Sequence, residues 1–246
     1  MKLWYRLFPK DLKITTFSRG WWFYVIMTII SLILFTLYGN NLSLENRPTL
    51  ILITSIIEYI ILRAYKLYMI RTDAEYHYFN DLPCYLCNQS TILCIIASLT
   101  GNSHLMAFCI IPGCIGSMLA FTFPDQALVD KPFYSIQTLG FYGYHSLLVV
   151  TCLSFYTLGL YKPDLTDALW NMAIMLLLGT FTHFVNVLLI KTDLNPISNY
   201  SFTIHPTNGF TQMLYNLYPK QFFYMLPCIP IIGALSFTIL LLLKVI

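Results

Sequence analysis

The chain has 246 residues, of which 57% are hydrophobic and only 10% are charged, against roughly 45–50% and about 25% in soluble globular domains. So few charges cannot cover a water-soluble domain of this length, and the composition also excludes intrinsic disorder, coiled coil and collagen. A net charge of +3 gives no basic footprint for nucleic acid, and seven cysteines are too sparse for a disulfide-stapled secreted protein. The composition predicts a polytopic membrane protein.

Seven stretches of the chain are long and apolar enough to be membrane spans. A bilayer core about 30 Å thick needs roughly 20 mostly apolar residues per helix. The stretches lie near residues 21–38, 49–68, 83–100, 104–123, 135–160, 168–190 and 221–243. Because the runs are continuous rather than alternating, they favour helices over β-strands. The sequence predicts an all-α fold, with residues 21–246 forming a single bundle of about seven transmembrane helices.

The two longest segments outside these spans are residues 1–20 and 191–220. Residues 1–20 are basic and aromatic, which predicts a cytoplasmic or interfacial N-terminal segment. Residues 191–220 contain Asn195-Pro196, His205-Pro206 and Asn208-Gly209, pairs that interrupt helices and form turns. We expect residues 191–220 to form a polar loop.

The basic residues predict the orientation in the membrane. If the N-terminus is cytoplasmic, every Lys and Arg except Arg47, Lys162 and Lys244 falls on the cytoplasmic side or within the second span. This distribution obeys the positive-inside rule. Seven spans then place the C-terminus outside, and we expect a multi-pass protein of the plasma membrane.

Polar side chains within a span are costly, so each is a functional candidate. Glu58 falls in the middle of the second span, with Arg63 five residues later. An interhelical partner and a proton or substrate role both remain open for Glu58. His183 and Asn186 are three residues apart on the sixth span, so they share a face and favour interhelical hydrogen bonds.

The third span opens with Asp81-Leu82-Pro83-Cys84-Tyr85-Leu86-Cys87-Asn88. Asp81 can cap a helix and Pro83 suits its first turn, which predicts that both cysteines lie in the opening turns. The positive end of a helix dipole there favours thiolate over thiol. Inert packing remains the alternative for either cysteine.

The fifth span carries His145, with Gln137 eight residues earlier on roughly the same face. An imidazole in a span cannot face lipid unpaired, so we expect it to face the bundle or a cavity, as a structural histidine or as a base. The fourth span has small residues that allow close helix packing, namely Gly113, Gly116, Ser117 and Ala120. It ends at Phe123-Pro124-Asp125, a turn that fits the cytoplasmic mouth of a cavity.

The order of these motifs resembles a known family. The resemblance rests on Leu82-Pro83, Leu86-Cys87-Asn88, Gly113…Gly116-Ser117, Phe123-Pro124-Asp125, Phe133…Gln137…His145, and Asn186 with the late polar loop. In this order and spacing the chain resembles the YwaF-like bacterial integral membrane proteins, which are similar to the eukaryotic transmembrane protein 164 acyltransferases. Cys84, Tyr85 and His183 depart from the usual family pattern.

The resemblance implies a lipid acyltransferase that moves a fatty acyl chain between phospholipids without acyl-CoA. Cys87 matches the family cysteine and His145 the family histidine, which together would form a thioester and transfer protons. The supporting or substrate-binding residues would be Asn88, Gln137, Asn186, Asp125 and His183. Phospholipids and lysophospholipids would be the partners, with no metal, cofactor or nucleic acid, and a hydrolase would use the same groups.

Two other classes remain open. Cys84-x-x-Cys87 has the spacing of a redox dithiol, which would make the protein a thiol–disulfide oxidoreductase. Glu58, Arg63 and His183 would instead suit a transporter or a lipid-binding subunit without catalysis. A zinc site formed by His77, Cys84 and Cys87 lacks an obvious fourth ligand.

Overall fold

The computed structural model describes residues 14–72, 76–123, 131–207 and 209–245. Every regular element in these ranges is helical, so the predicted all-α fold is confirmed. The α-helices are α1 Arg19–Asn40, α2 Arg47–Thr72, α3 Leu86–Thr100, α4 Ser103–Phe108, α5 Cys114–Thr122, α6 Ile136–Thr157, α7 Asp167–Lys191, α8 Gly209–Leu217 and α9 Cys228–Val245. Asp125 and most of the segment 1–20 lie outside the described residues.

Five helical stretches in the described ranges are long and apolar enough to cross a membrane. They are Arg19–Asn40, Ser103–Thr122, Ile136–Thr157, Asp167–Lys191 and Phe223–Val245. The other two predicted spans are also helical. Helix α2 has 26 residues but carries charged side chains along its length, and α3 has 15 residues, fewer than a typical span. Multi-pass membrane insertion follows from the five apolar helices.

Side-chain caps begin three of the helices where the sequence changes from polar to apolar. Ser18, Asn102 and Ser135 each accept a hydrogen bond from the backbone N–H three residues later. Such caps satisfy amides that have no partner within the helix. Between α4 and α5 the helix passes through a π-helical turn, Cys109–Gly113, which contains Pro112. Proline lacks an N–H and clashes with the preceding turn, which accounts for the shift in hydrogen bonding.

The described residues divide into two compact units. Unit 1 takes residues from 1–72 and 90–162, and unit 2 takes residues from 73–89 and 163–246. That residues 21–246 form a single transmembrane domain stays a prediction.

Helix α6 is the centre of unit 1, because α1, α2 and α5 all pack against it. Glycine allows one of these close approaches: a Cβ added to Gly140 would lie 2.7 Å from the ring of Tyr65. The Trp21 indole N–H donates to the carbonyl of Phe121 at 2.9 Å, which ties α1 to α5. Small and polar contacts therefore hold helices that expose apolar side chains on their outer faces.

In unit 2, α7 packs against α9. A Cβ added to Gly233 would lie 2.3 Å from the sulfur of Met172, and the Asn171 amide donates to Ser236 Oγ at 3.1 Å. The predicted polar loop at 191–220 is not wholly irregular: it contains a 3₁₀ turn, Tyr200–Phe202, and α8. The turn-forming pairs separate these short elements rather than preventing helix throughout.

Candidate functional site

Cys87 lies in the first turn of α3, as its second residue. Its side chain is half-buried and its sulfur is not part of a disulfide. Its Sγ donates to Asn88 Oδ1 at 3.8 Å. The positive end of the helix dipole favours a thiolate at this position. Cys87 thus has both the partial exposure and the electrostatic setting that a nucleophilic cysteine needs.

Cys84 lies outside the helix, contrary to the prediction that both cysteines occupy its opening turns. The Cys84 N–H donates to the carbonyl of Leu82 at 2.7 Å, and the first helical hydrogen bond runs from the Gln89 N–H to the Tyr85 carbonyl. A tight turn therefore precedes α3. The Cys84 side chain is 3% exposed, and burial raises the pKa of its thiol to about 11. Cys84 is therefore a protonated, packed thiol at neutral pH.

Hydrogen bonds within unit 2 fix the turn that leads into Cys87. The carbonyl of Cys84 accepts from Thr182 Oγ1 at 3.2 Å and from Ser201 Oγ at 3.0 Å. The Tyr200 hydroxyl donates to the carbonyl of Phe79 and accepts from the Leu82 N–H. Burial raises the pKa of Tyr200 above its usual value, so this hydroxyl stays a donor. The backbone ahead of Cys87 is consequently held at several points.

Asn186 on α7 uses all of its hydrogen-bonding capacity within the protein. Its Nδ2 donates to Tyr200 O and to Thr203 Oγ1, each at 2.9 Å. Its Oδ1 accepts from Ser198 Oγ at 2.7 Å and from the Tyr200 N–H at 2.9 Å. The side chain is fully buried. Two donors and two acceptors exhaust an amide, so in this conformation Asn186 holds the segment 198–203 and has no hydrogen bond left for a substrate.

His183 shares the face of α7 with Asn186, as their spacing predicts, and both contact Thr203. Its Nδ1 lies 3.3 Å from Thr203 Oγ1, and its ring stacks on Phe222 at 5.1 Å between centroids. Both residues meet a loop, although the sequence favoured a partner on another helix. Ser201 and Phe202 in that loop adopt positive φ angles of 50° and 59°, a costly conformation for non-glycine residues that persists only where surrounding contacts enforce it.

His145 is buried at the middle of α6 in unit 1, with 4% of its surface exposed. Its Nδ1 lies 2.7 Å from the carbonyl of Phe141. A carbonyl only accepts, so Nδ1 carries the proton and Nε2 of the neutral ring carries the lone pair. The Phe141 ring packs against the imidazole at 4.4 Å between centroids. The histidine is thus fixed in the tautomer that presents Nε2 as a base.

Gln137 is half-buried, two helical turns before His145. Eight residues rise about 12 Å along a helix, and helical side chains point back toward the N-terminus. The imidazole is therefore oriented through Nδ1 by the carbonyl of Phe141 and not by the Gln137 amide.

A cavity of about 360 Å³ lies in unit 1 beside the helix that carries His145. Its lining is mostly apolar, with a few hydroxyls, and comes from α1, α2 and α6. It includes Phe23, Tyr24, Met27, Ile61, Gly143 and Leu147. A Cβ added to Gly143 would meet nothing within 4 Å. The absence of a side chain at Gly143 therefore leaves this part of the cavity open.

Glu58 lies on α2 in the core of unit 1 and is fully buried. Thr91 Oγ1 lies 2.6 Å from its Oε1, and Thr151 Oγ1 lies 3.1 Å from its Oε2. Thr91 Oγ1 is also 2.9 Å from the hydroxyl of Tyr144. These partners are 33 and 93 residues away in the sequence, so the pattern of the sequence identified Glu58 but not its environment.

In the part of the chain that the structure describes, no three His, Cys, Asp or Glu side chains are grouped so as to hold a metal ion. The three potential ligands named from the sequence, His77, Cys84 and Cys87, are therefore not such a group.

A family model described as the TMEM164 family matches residues 15–242. The chain belongs to the TMEM164 family. The match covers nearly all of the sequence, and it confirms the relation to the transmembrane protein 164 family that the motifs suggested. No curated protein matches this TMEM164-family chain, and no solved structure matches it.

Proposed function

We propose that this TMEM164-family protein is a membrane-embedded transacylase that moves a fatty acyl chain from a phospholipid to a lysophospholipid through a thioester on Cys87. The observation that carries the proposal is the position of Cys87, half-buried in the first turn of α3 and at the cysteine of the family motif. Membership of the family supports the class of reaction. The burial of Cys84 favours Cys87 as the nucleophile.

In the first step, the Cys87 thiolate attacks the ester carbonyl carbon of the donor phospholipid. A carbon–sulfur bond forms and the carbonyl oxygen gains negative charge, which the Asn88 amide and the first amides of α3 stabilise. The carbon–oxygen bond of the ester then breaks. The departing oxygen takes the proton that His145 removed from the thiol, giving a lysolipid and an acyl-Cys87 thioester.

In the second step, the hydroxyl of a lysophospholipid attacks the thioester. His145 Nε2 takes the hydroxyl proton, an ester bond forms and the Cys87 thiolate leaves. Exchange of one ester for another is nearly isoenergetic, so the reaction needs no nucleotide or acyl-CoA. The fixed tautomer of His145 supports its role as the base.

The cavity in unit 1 supports the proposed substrate class. Its largely apolar lining and its volume of about 360 Å³ suit part of an acyl chain. We assign the donor and acceptor to the phospholipids of the plasma membrane. His183 and Asn186 act as positioning residues in unit 2, because both hold the loop at 198–203.

The test is a transfer assay with purified protein in vesicles that contain a labelled phospholipid and an unlabelled lysophospholipid of a different headgroup, with no acyl-CoA. The label should move to the second headgroup. Cys87→Ser should abolish transfer, because an alkoxide forms far less readily than a thiolate. Cys84→Ser is the matched control and should retain most of the activity.

Three other results of the transfer assay would contradict the proposal. Release of the label as free fatty acid, with none on the acceptor, would indicate a hydrolase. Equal loss in Cys84→Ser and Cys87→Ser would indicate dithiol exchange. Transfer that persists in Cys87→Ser would exclude the thioester.

A further inference from the structure

Glu58 is a buried ionisable group that the proposed reaction does not use. Its carboxyl oxygens contact Thr91 Oγ1 at 2.6 Å and Thr151 Oγ1 at 3.1 Å. Among the described residues, both hydrogen-bond partners of the carboxyl are therefore neutral hydroxyls. A buried carboxylate is stable only with strong compensation, usually a cation or several hydrogen-bond donors.

The hydroxyl of Thr151 contacts two oxygen atoms but has a single hydrogen to donate. Thr151 Oγ1 lies 2.7 Å from the carbonyl of Leu147, which can only accept. A hydroxyl carries one hydrogen, and the shorter contact takes it. The 3.1 Å contact between Thr151 Oγ1 and Glu58 Oε2 then needs a hydrogen from the carboxyl. The geometry at Thr151 thus favours a proton on Glu58 Oε2.

The titratable groups that face Glu58 are thiols and a phenol. Cys94 on α3 and Cys109 in the π-helical turn interact with the carboxyl, and Cys152 on α6 lies 3.6 Å from Cys94 between sulfurs. Tyr144 reaches Glu58 through Thr91. These described groups are neutral in their protonated forms, and an ionised Glu58 would stand among them without a cation.

The cation nearest in sequence lies elsewhere on α2. The guanidinium carbon of Arg63 is 5.4 Å from the centre of the Tyr59 ring, a cation–π contact. Five residues separate Arg63 from Glu58, which places the two on different faces of the helix.

We propose that Glu58 is a proton-binding site, a neutral carboxylic acid at neutral pH that donates to Thr151 through Oε2. It ties α2 to α3 and α6 by hydrogen bonds and adds no net charge to the core of unit 1. This assignment is independent of the transfer reaction proposed above.

Infrared spectroscopy of the purified chain in an ester-free detergent tests the assignment. The chain contains three glutamates, Glu45, Glu58 and Glu75, so glutamate labelled with ¹³C at the carboxyl marks few sites. At neutral pH we expect a carbonyl stretch of a protonated carboxyl that shifts with the label and in D₂O. Glu58→Gln should remove the band, whereas Glu45→Gln and Glu75→Gln should leave it. A spectrum with carboxylate bands alone would overturn the proposal.

Two further variants test the direction of the hydrogen bond. Thr151→Val removes the acceptor, so the band should move to higher frequency, and Thr151→Ser keeps the hydroxyl and should leave the band in place. A band that does not move in Thr151→Val would contradict donation to Thr151. If Glu58→Gln does not fold, the double variant Glu45→Gln, Glu75→Gln carries the label on Glu58 alone and decides the protonation without a substitution there.

Discussion

His145 has one ring nitrogen engaged by the carbonyl of Phe141, and in the proposed reaction the other acts as the base. Asparagine at this position retains an N–H close to the place of Nδ1, which can still donate to the carbonyl of Phe141. It has no titratable nitrogen in place of Nε2. A comparison of His145→Asn with His145→Ala therefore separates two roles of the side chain: the hydrogen bond that supports α6, and proton transfer as a base.

We predict that His145→Asn folds with nearly wild-type thermal stability but loses about 10²–10⁴-fold in the rate of transfer, the usual contribution of a general base. The measurement is the transfer assay together with a melting curve in detergent. Full activity in His145→Asn would show that the histidine is structural.

For single residues, the sequence predicted which side chains share a helix face but not which residues they hydrogen-bond to. The spacing of His183 and Asn186 predicted their shared face, because helical periodicity is local. Asn186 contacts Ser198 and Tyr200, which are 12 and 14 residues away and lie in a loop. Such contacts depend on the path of the loop, which local periodicity does not determine.

At the scale of elements, Asn186 links α7 to the loop at 198–203 by four hydrogen bonds. Asn186→Ala should destabilise unit 2 by about 3 kcal/mol, because it leaves buried donors and acceptors without partners. Limited proteolysis should then cleave the loop faster than in the wild type. The control is Thr180→Ala on the same helix, an exposed position whose hydroxyl donates to the carbonyl of Leu176 within α7. Equal cleavage in the two variants would contradict the role of Asn186.

Gly143 tests whether the cavity in unit 1 holds an acyl chain. Gly143→Leu adds a Cβ where nothing lies within 4 Å, so we expect the side chain to enter the cavity, and leucine also favours the helix more than glycine. We expect the variant to be at least as stable as the wild type but to transfer long acyl chains more slowly than short ones. Gly179→Leu on α7 is the control, because an added Cβ there meets the Phe222 ring at an ordinary 3.8 Å. An unchanged chain-length preference in Gly143→Leu would contradict the assignment.

The hydrophobic runs located the helices because burial in lipid requires long apolar segments. The start of α3 at Leu86 lies later than the sequence predicts. Asp81 and Pro83 suggested an N-terminal cap, but tertiary hydrogen bonds to Cys84 hold the chain in a turn until Leu86. The π-helical turn at Cys109–Gly113 was also missed, although Pro112 within an apolar run is a recognisable signal.

At the scale of the whole molecule, the orientation in the membrane is a prediction from the basic residues. Cysteines introduced by Thr15→Cys and Lys131→Cys should react only with reagents applied from the cytoplasmic side, and Lys162→Cys only with reagents applied from outside. The half-buried native cysteines, Cys87 and Cys228, are replaced by serine in this background. Labelling of all three positions from one side would contradict the orientation.

Intact-protein mass spectrometry after incubation with a labelled phospholipid tests whether Cys87 carries the acyl chain. We expect a mass increase of one acyl group that maps to Cys87, is released by hydroxylamine and disappears when lysophospholipid is added. Cys84→Ser should form the same adduct and Cys87→Ser should form none. Transfer of the label without any adduct on Cys87, or an adduct that maps to another residue, would exclude Cys87 as the carrier of the acyl chain.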